Sequence, residues 1–499
     1  MTRPSDVIPY DRPVTSGELA ALLQNNGSSA SAARQAIRRD KDLWRLPFRL
    51  PHRGRLFARK QQQFDALFFL GVATAIESQR PGLSRTIRAL FGRRTLLAAE
   101  AERLLAAPRK QRASRTPIYA TQVRSLVDLG VCRIEAEGTS LERLTLSPLA
   151  GSREVAGLAT SSKARLLIEA QLTRLLADDM RRKNVIGWNS AQYPDASGSI
   201  RFSEYPFAAI AYCWLNPLMR QAKEQKPKPT PVLFDVHSRN CSVLDVEGFL
   251  QRISQVSLGS RTRLPILGVL AANDFEKGAW SLAKQRGLML VSFRQSLGDE
   301  ALRSLARVET LLKMVGSDSV AETDDTTGSL DSLADSLDAL KVHPFVADLR
   351  SIGFEAVTAL LIRSLGWEDV GLGVSVPFSD TTREVDVLGR RGGGRETLLI
   401  EAKAEHDVKE LDPAYVRKFF TETVPAYLRS KDNIEQCHAQ IWTTGTVGAA
   451  AKSALTAITF GSSGRVIPQL LSRAEILKLV PPVLEPCKRL IATISSVPA

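Results

Sequence analysis

Cysteine is scarce and scattered: five in 499 residues, at positions 132, 213, 241, 437 and 487. None pairs into a CxxC knuckle or a disulfide framework, which excludes a stapled secreted scaffold and a cysteine zinc site as organising principles. Aromatics are few, 6%. No apolar run reaches the roughly 18–20 residues that span a bilayer, and the opening MTRPSDVIPYDRP lacks the apolar stretch of a signal peptide. These absences predict a cytoplasmic protein with no membrane association. Hydrophobic residues at 44% and charged residues at 24% exclude a wholly disordered chain. The length allows three or four domains at about 150 residues each.

Excess acid is also lacking. The chain has 67 Lys and Arg against 53 Asp and Glu, a net charge of +14. Residues 1–150 hold 25 basic and 13 acidic residues; residues 151–499 hold 42 and 40. The surplus is therefore N-terminal, which points to a polyanion partner for that segment, with DNA the expectation.

The N-terminal pattern supports this. Thr15 or Ser16 reads as an N-cap before a helix with Glu18, Leu19, Leu22 and Leu23. A polar turn at 25–29 leads to a second helix over about 30–41, carrying Arg34, Arg38 and Arg39 with Ile37 on the other side. Leu46, Phe48 and Leu50 then alternate around His52-Arg53-Gly54-Arg55 as a hairpin with a basic tip, flanked by Arg45. Helix, basic helix and basic hairpin resemble a winged helix-turn-helix, with the helix in a groove and the wing on phosphates. The resemblance makes Arg34, Arg38, Arg39, Arg45, Arg53 and Arg55 the DNA-binding set. Residues 95–150 give a second such pattern: a helix ending at Gly130, then a hairpin turning near Glu137-Gly138, with an acidic wing of Glu135, Glu137 and Glu142.

Residues 316–340 hold seven acids, no Lys or Arg, and many Ser, Thr and Gly, which predicts a flexible linker. It divides two blocks that look alike. FDVHSRNCSVLDVEGFLQRI at 234–253 matches IEAKAEHDVKELDPAYVRKF at 400–419, each a strand running into a helix. Each block opens on an acidic helix, with Glu169 matching Glu355, and continues strand, helix, strand. Duplication of a mixed α/β unit is the expectation.

The second block carries the strongest chemical pattern. Arg383-Glu384-Val385-Asp386-Val387 reads as one strand, a glycine turn follows at 392–394, and Thr397–Lys403 reads as the next. Alternation puts Glu401 and Lys403 on one face, and Glu384 with Asp386 on one face. Asp386 and Glu401, on neighbouring strands, would share a hard divalent cation, and Lys403, its pKa expected to fall on burial, would assist a bound water.

With Gly353-Phe354-Glu355, Leu365-Gly366-Trp367 and Ile441-Trp442-Thr443-Thr444-Gly445, these residues resemble the restriction-endonuclease-like PD-(D/E)XK nuclease superfamily, closest to its Mrr-like branch, over about 345–480. The resemblance implies that Asp386 and Glu401 hold Mg²⁺ (or Mn²⁺), with Glu384 as rival or helper to Asp386. It makes Lys403 the catalytic lysine and Glu355 an accessory acid, and it implies 5′-phosphate and 3′-hydroxyl products. Many relatives have Gln where this chain has Glu401.

In the first block Asp235-Val236-His237 stands where the second has Glu401-Ala402-Lys403, and Tyr212-Cys213-Trp214 or Phe202-Ser203-Glu204-Tyr205 stands in place of an aspartate strand. Glu169, Asp235 and His237 read as a degenerate site.

The expected architecture is multidomain. A basic, mainly α winged-helix region (1–94) and a second one (95–150) precede a degenerate restriction-endonuclease-like α/β domain (151–315). The acidic linker (316–341) and a nuclease domain (342–499) complete it. The expected function is a Mg²⁺-dependent DNA endonuclease defending against phage or plasmid, acting as a homodimer or with a partner subunit of a defence system. A DNA-binding regulator using an inactive nuclease fold, or a repair or RNA-directed nuclease, is the alternative.

Overall fold

The computed structural model describes the chain except residues 1–2, 48–49, 51–53, 61–65, 111–116, 136–141, 152, 195–199, 216–227, 259–264, 316–323, 341–345, 379–380, 431–433, 461–464 and 497–499. It is a mixed α/β assembly of several sheets. Among the described residues no helix is long and apolar enough to cross a membrane. All five cysteines are buried with free thiols.

The first helix, Ser16–Asn25, starts on a complete capping box. Thr15 Oγ1 accepts from the Glu18 N–H at 3.2 Å, and Glu18 accepts from the Thr15 N–H at 2.7 Å. The helix Ala30–Arg39 follows. Strand Leu56–Arg59 lies between Val14–Thr15 and Leu43–Arg45, antiparallel to both. Part of the expected hairpin tip, Phe48 and Arg53 included, and the Glu137-Gly138 turn lie outside the described residues. The second region has its helix at Tyr119–Asp128 and strands Cys132–Glu135 and Arg143–Leu146. One core runs from Leu46 to Leu146. The boundary expected at 94/95 therefore falls inside a single packed unit, because Phe68, Val72, Leu83, Ile87 and Leu90 fill the space between the two regions.

The middle and C-terminal sheets share a topology. In the middle one, Ala209–Cys213 pairs antiparallel with Thr230–His237, which runs parallel to Leu267–Ala272 and then Met289–Ser292. In the C-terminal one, Thr381–Arg391 pairs antiparallel with Glu396–Lys403, which runs parallel to Gln436–Thr443 and then Val466–Leu471. An extra strand, Glu368–Phe378, closes the C-terminal sheet beside Thr381–Arg391. The two motif strands each have eight residues, ending at His237 and Lys403.

The sheets also share a core. Phe234, Val236 and Val269 of one sheet and Ile400, Ala402 and Trp442 of the other belong to the same apolar cluster. Between them lie the helices Arg153–Arg182, Asp299–Val315, Asp324–Ala339, Val346–Ser364 and Pro486–Ser496. The acidic segment is thereby corrected. Residues 324–339 are not a flexible linker but a helix, because Leu330, Leu333 and Leu337, spaced three and four apart, are fully buried with Ala334 and Leu340 in this shared core. Asp331 and Asp335 lie on its other side, where they pair with Arg489.

Candidate active site

Pairing between Thr381–Arg391 and Glu396–Lys403 ends at Val387↔Ile400. Asp386 and Glu401 stand just past that last pair, where the strands part. The Ala402 N–H, released from the ladder, donates to Asp386 Oδ2 at 2.7 Å. Lys403 Nζ lies 2.6 Å from Glu401 Oε1 and 3.9 Å from Asp386 Oδ2. It also sits 5.2 Å from the centroid of the Tyr415 ring. Tyr415 lies in the first turn of the helix Pro413–Lys418, which Asp412 caps. The three charged side chains are 16–23% exposed.

Glu355, on the helix Val346–Ser364, joins them electrostatically. Burial, then the charges of Asp386 and Glu384, push its carboxyl well above the ordinary range, against the pull of Lys403. Burial and the neighbouring Glu401 push Asp386 up to about 7, although Lys403 and the Ala402 N–H oppose the rise. Lys403 corrects one expectation. Burial does act to lower its pKa, but Glu401 and Asp386 outweigh burial and the net direction is upward. The lysine therefore keeps its proton at neutral pH. Glu384 is half-exposed and faces Arg174 of the middle unit, Oε2 to Nη2 at 3.7 Å. Among the described residues no group of three or more His, Cys, Asp and Glu is gathered as a ready metal cage.

The structure thus brings Asp386, Glu401, Lys403 and Glu355 to one place, with Glu384 at the rim. The chain matches no family model, no curated protein and no solved structure. The site is therefore read from its own geometry.

The middle unit shows what the same frame becomes with other side chains. Its ladder ends at Phe234↔Ala209, so the position equivalent to Asp386 is Ala208, not a residue of the 202–205 or 212–214 segments expected from sequence. Phe202 and Tyr205 instead close a separate small hairpin. Asp235 takes the Glu401 position and is ringed by Arg252, Arg103 and His237. It accepts from Arg252 Nη2, and it lies 3.7 Å from Arg103 Nη1 and 3.6 Å from His237 Nε2. Burial acts to raise its pKa, but Arg252, His237 and Arg103 override that and hold it far below the ordinary carboxylate range. Glu169 is also brought here, 3.4 Å from Arg103 Nη1 and accepting from the Ser238 N–H at 3.2 Å. Glu169, Asp235 and His237 do cluster, as their sequence match implies, but guanidinium groups fill the space among them.

Arg103 comes from the helix Ala98–Leu105 of the N-terminal unit. Arg93 of that unit likewise reaches Asp245 at 3.1 Å, and Arg85 bonds Gln251. Neither Arg103 nor Arg252 is marked by the motif pattern, since their meaning depends on contacts 132 and 17 residues away in the chain.

The basic N-terminal set is placed as follows. Arg34, Arg38 and Arg39 are exposed on the helix Ala30–Arg39, and Arg45 is exposed on the strand after it. Arg55, just before the strand Leu56–Arg59, is half-buried. Arg53 lies outside the described residues.

Proposed function

We propose that the chain is a metal-dependent DNA endonuclease of the PD-(D/E)XK kind, Mrr-like, which grips DNA through its basic winged-helix-like N-terminus and cuts it in the C-terminal unit. The observation that carries this is the meeting of Asp386, Glu401 and Lys403 where two strands part, with Asp386 pushed up to about 7 by burial and by Glu401. An excess of desolvated carboxylate on a rigid sheet is a standing demand for a cation. The donor set fits Mg²⁺ or Mn²⁺, because two carboxylates suffice when water and substrate phosphate complete the shell. When bound, such an ion supplies Lewis-acid polarisation and a more acidic water.

The chain's own residues do the rest. Asp386 and Glu401 would hold the ion, and the Ala402 N–H fixes the Asp386 carboxylate in place. Lys403, kept charged by Glu401 and Asp386, donates to the phosphate oxygens as negative charge builds in the transition state; it is an electrostatic stabiliser rather than a base. Glu355, its carboxyl raised by burial and by Asp386 and Glu384, would stand behind the two ligands as an accessory acid. The biological role that fits is defence against phage or plasmid DNA, with the chain acting as a dimer or beside a partner subunit, because cutting both strands takes two sites.

A second reading is favoured by one contact: Glu401 is already neutralised by Lys403 at 2.6 Å, as in a fold that binds DNA without cutting. Incubating the purified chain with supercoiled plasmid in Mg²⁺ and in EDTA separates the two. Nicking or linearisation only with Mg²⁺ supports the nuclease; binding with no cleavage in either supports the regulator, and a repair or RNA-directed enzyme would prefer damaged DNA or RNA in the same assay.

A further inference from the structure

The middle unit does not carry the full acidic set, yet it touches the rim of the one that does. Its 30-residue helix Arg153–Arg182 buries Ile168, Leu172 and Leu176 in the shared core. Leu167 and Arg174, seven residues apart, lie on one side of that helix. Both face the hairpin that carries Asp386. A side chain added at Gly373 would lie 3.3 Å from Leu167 Cδ2 and 3.1 Å from Glu384 Oε1. Gly373 has φ +57°, a conformation that favours glycine, and it stands in the strand Glu368–Phe378, next to the Val374↔Val385 pair. The hairpin and the helix therefore close tightly here, with Glu384 between them.

Arg174 is 46% exposed and its guanidinium lies 3.7 Å from the Glu384 carboxylate, itself 50% exposed. At that distance the contact is a charge pair and not a hydrogen bond, and in solvent it is worth little. Glu384 is nevertheless part of the site's field, since its charge raises both Glu355 and Asp386. A cation of the middle unit is thus held loosely at the edge of the carboxylate cluster, its guanidinium making no hydrogen bond to Glu384 at 3.7 Å.

We propose that Arg174 is a substrate-binding residue of the C-terminal site. It would leave Glu384 to take a DNA phosphate flanking the one that is cut. A phosphodiester offers the paired oxygens that a guanidinium engages bidentately, which Glu384 does not provide at 3.7 Å. The middle unit then serves cleavage as one wall of the cleft. This inference rests on the nuclease reading.

The test uses the full-length chain with Arg174→Ala, Arg174→Lys and the same Arg174→Ala change in a Glu384→Ala background. Two quantities are followed against salt: single-turnover cleavage in Mg²⁺, and DNA affinity in Ca²⁺. Arg174→Ala should lower cleavage efficiency at least tenfold, mainly through weaker binding, and reduce the slope of log affinity against log salt by about one. Arg174→Lys should recover part of the loss, and the loss should persist without Glu384. Unchanged cleavage and salt slope, or a loss that disappears in the Glu384→Ala background, would overturn the assignment. Wild-type protein that cuts no DNA would overturn the nuclease reading instead, and the Ca²⁺ binding series would still decide whether Arg174 meets phosphate.

Discussion

Asp386 and Ala208 hold the same register position in two sheets of the same topology. Each is the residue before the last cross-strand pair, Val387↔Ile400 in one sheet and Ala209↔Phe234 in the other. One position carries a carboxylate strained by its neighbours, the other a methyl group. Around that difference the two sites diverge: the first gathers carboxylates around one lysine, and the second is neutralised by Arg252 and by Arg103 of the N-terminal unit.

Asp235 should therefore matter for folding and not for cutting. Arg252→Met leaves its buried carboxylate without its nearest cation and should cost about 3–5 kcal/mol, read by chemical denaturation. Arg252→Met combined with Asp235→Leu should recover most of that. His237→Ala should leave plasmid cleavage at the wild-type level; a loss of cleavage with unchanged stability would show that the middle site reacts.

The acidic helix makes a direct test of the shared core. Leu333 is fully buried, so Leu333→Ala should destabilise by about 2–5 kcal/mol. Asp331→Asn, on its exposed side, should change stability by less than about 1 kcal/mol. If Leu333→Ala unfolds no more easily than wild type, residues 324–339 are the linker that their composition suggests.

The pH dependence follows from Asp386. Its carboxyl is raised from an ordinary 3.8 to about 7 in the fold, so between these values the folded state holds a proton that the unfolded chain has lost. Stability of the metal-free protein should fall as pH rises from about 4 through about 7, and Glu355, whose carboxyl is raised in the same direction, extends the fall. Asp386→Asn should flatten this fall and melt several degrees higher than wild type at pH 8. Mg²⁺ should raise the melting temperature of the wild type at pH 8 and leave Asp386→Asn nearly unchanged.

The exposed arginines of the helix Ala30–Arg39 predict the grip. Charge reversal at Arg38 and Arg39 together should weaken DNA binding across sequences and reduce the salt slope by about two. Melting temperature should stay within a degree or two, since both side chains are exposed. Unchanged affinity would move the DNA surface elsewhere.

Much of this was legible in the residues because it is local. Thr15 and Glu18 announce a capping box by their spacing, and Thr397–Lys403 announces a strand by its apolar run and alternating end. The match of Asp235-Val236-His237 to Glu401-Ala402-Lys403 follows from two strands of equal length. What stayed hidden depends on partners far away in the chain. Leu330, Leu333, Leu337 and Leu340 have helical spacing, but the aspartates between them dominate the composition. The upward shift of Lys403 depends on a 2.6 Å contact with Glu401, and burial alone predicts the opposite sign. Ala208 is identified only by strand register. Tyr415, Arg103 and Arg174 acquire roles only through packing.

The central claim is that Asp386, Glu401 and Lys403 form a working nuclease site. Its most direct test is single-turnover cleavage of plasmid DNA in Mg²⁺ by the wild type, Asp386→Asn and Lys403→Ala, each first checked for unchanged folding and DNA affinity. Cleavage by the wild type with a loss of at least about a hundredfold in both variants is the result the account predicts. Equal cleavage by all three would contradict it.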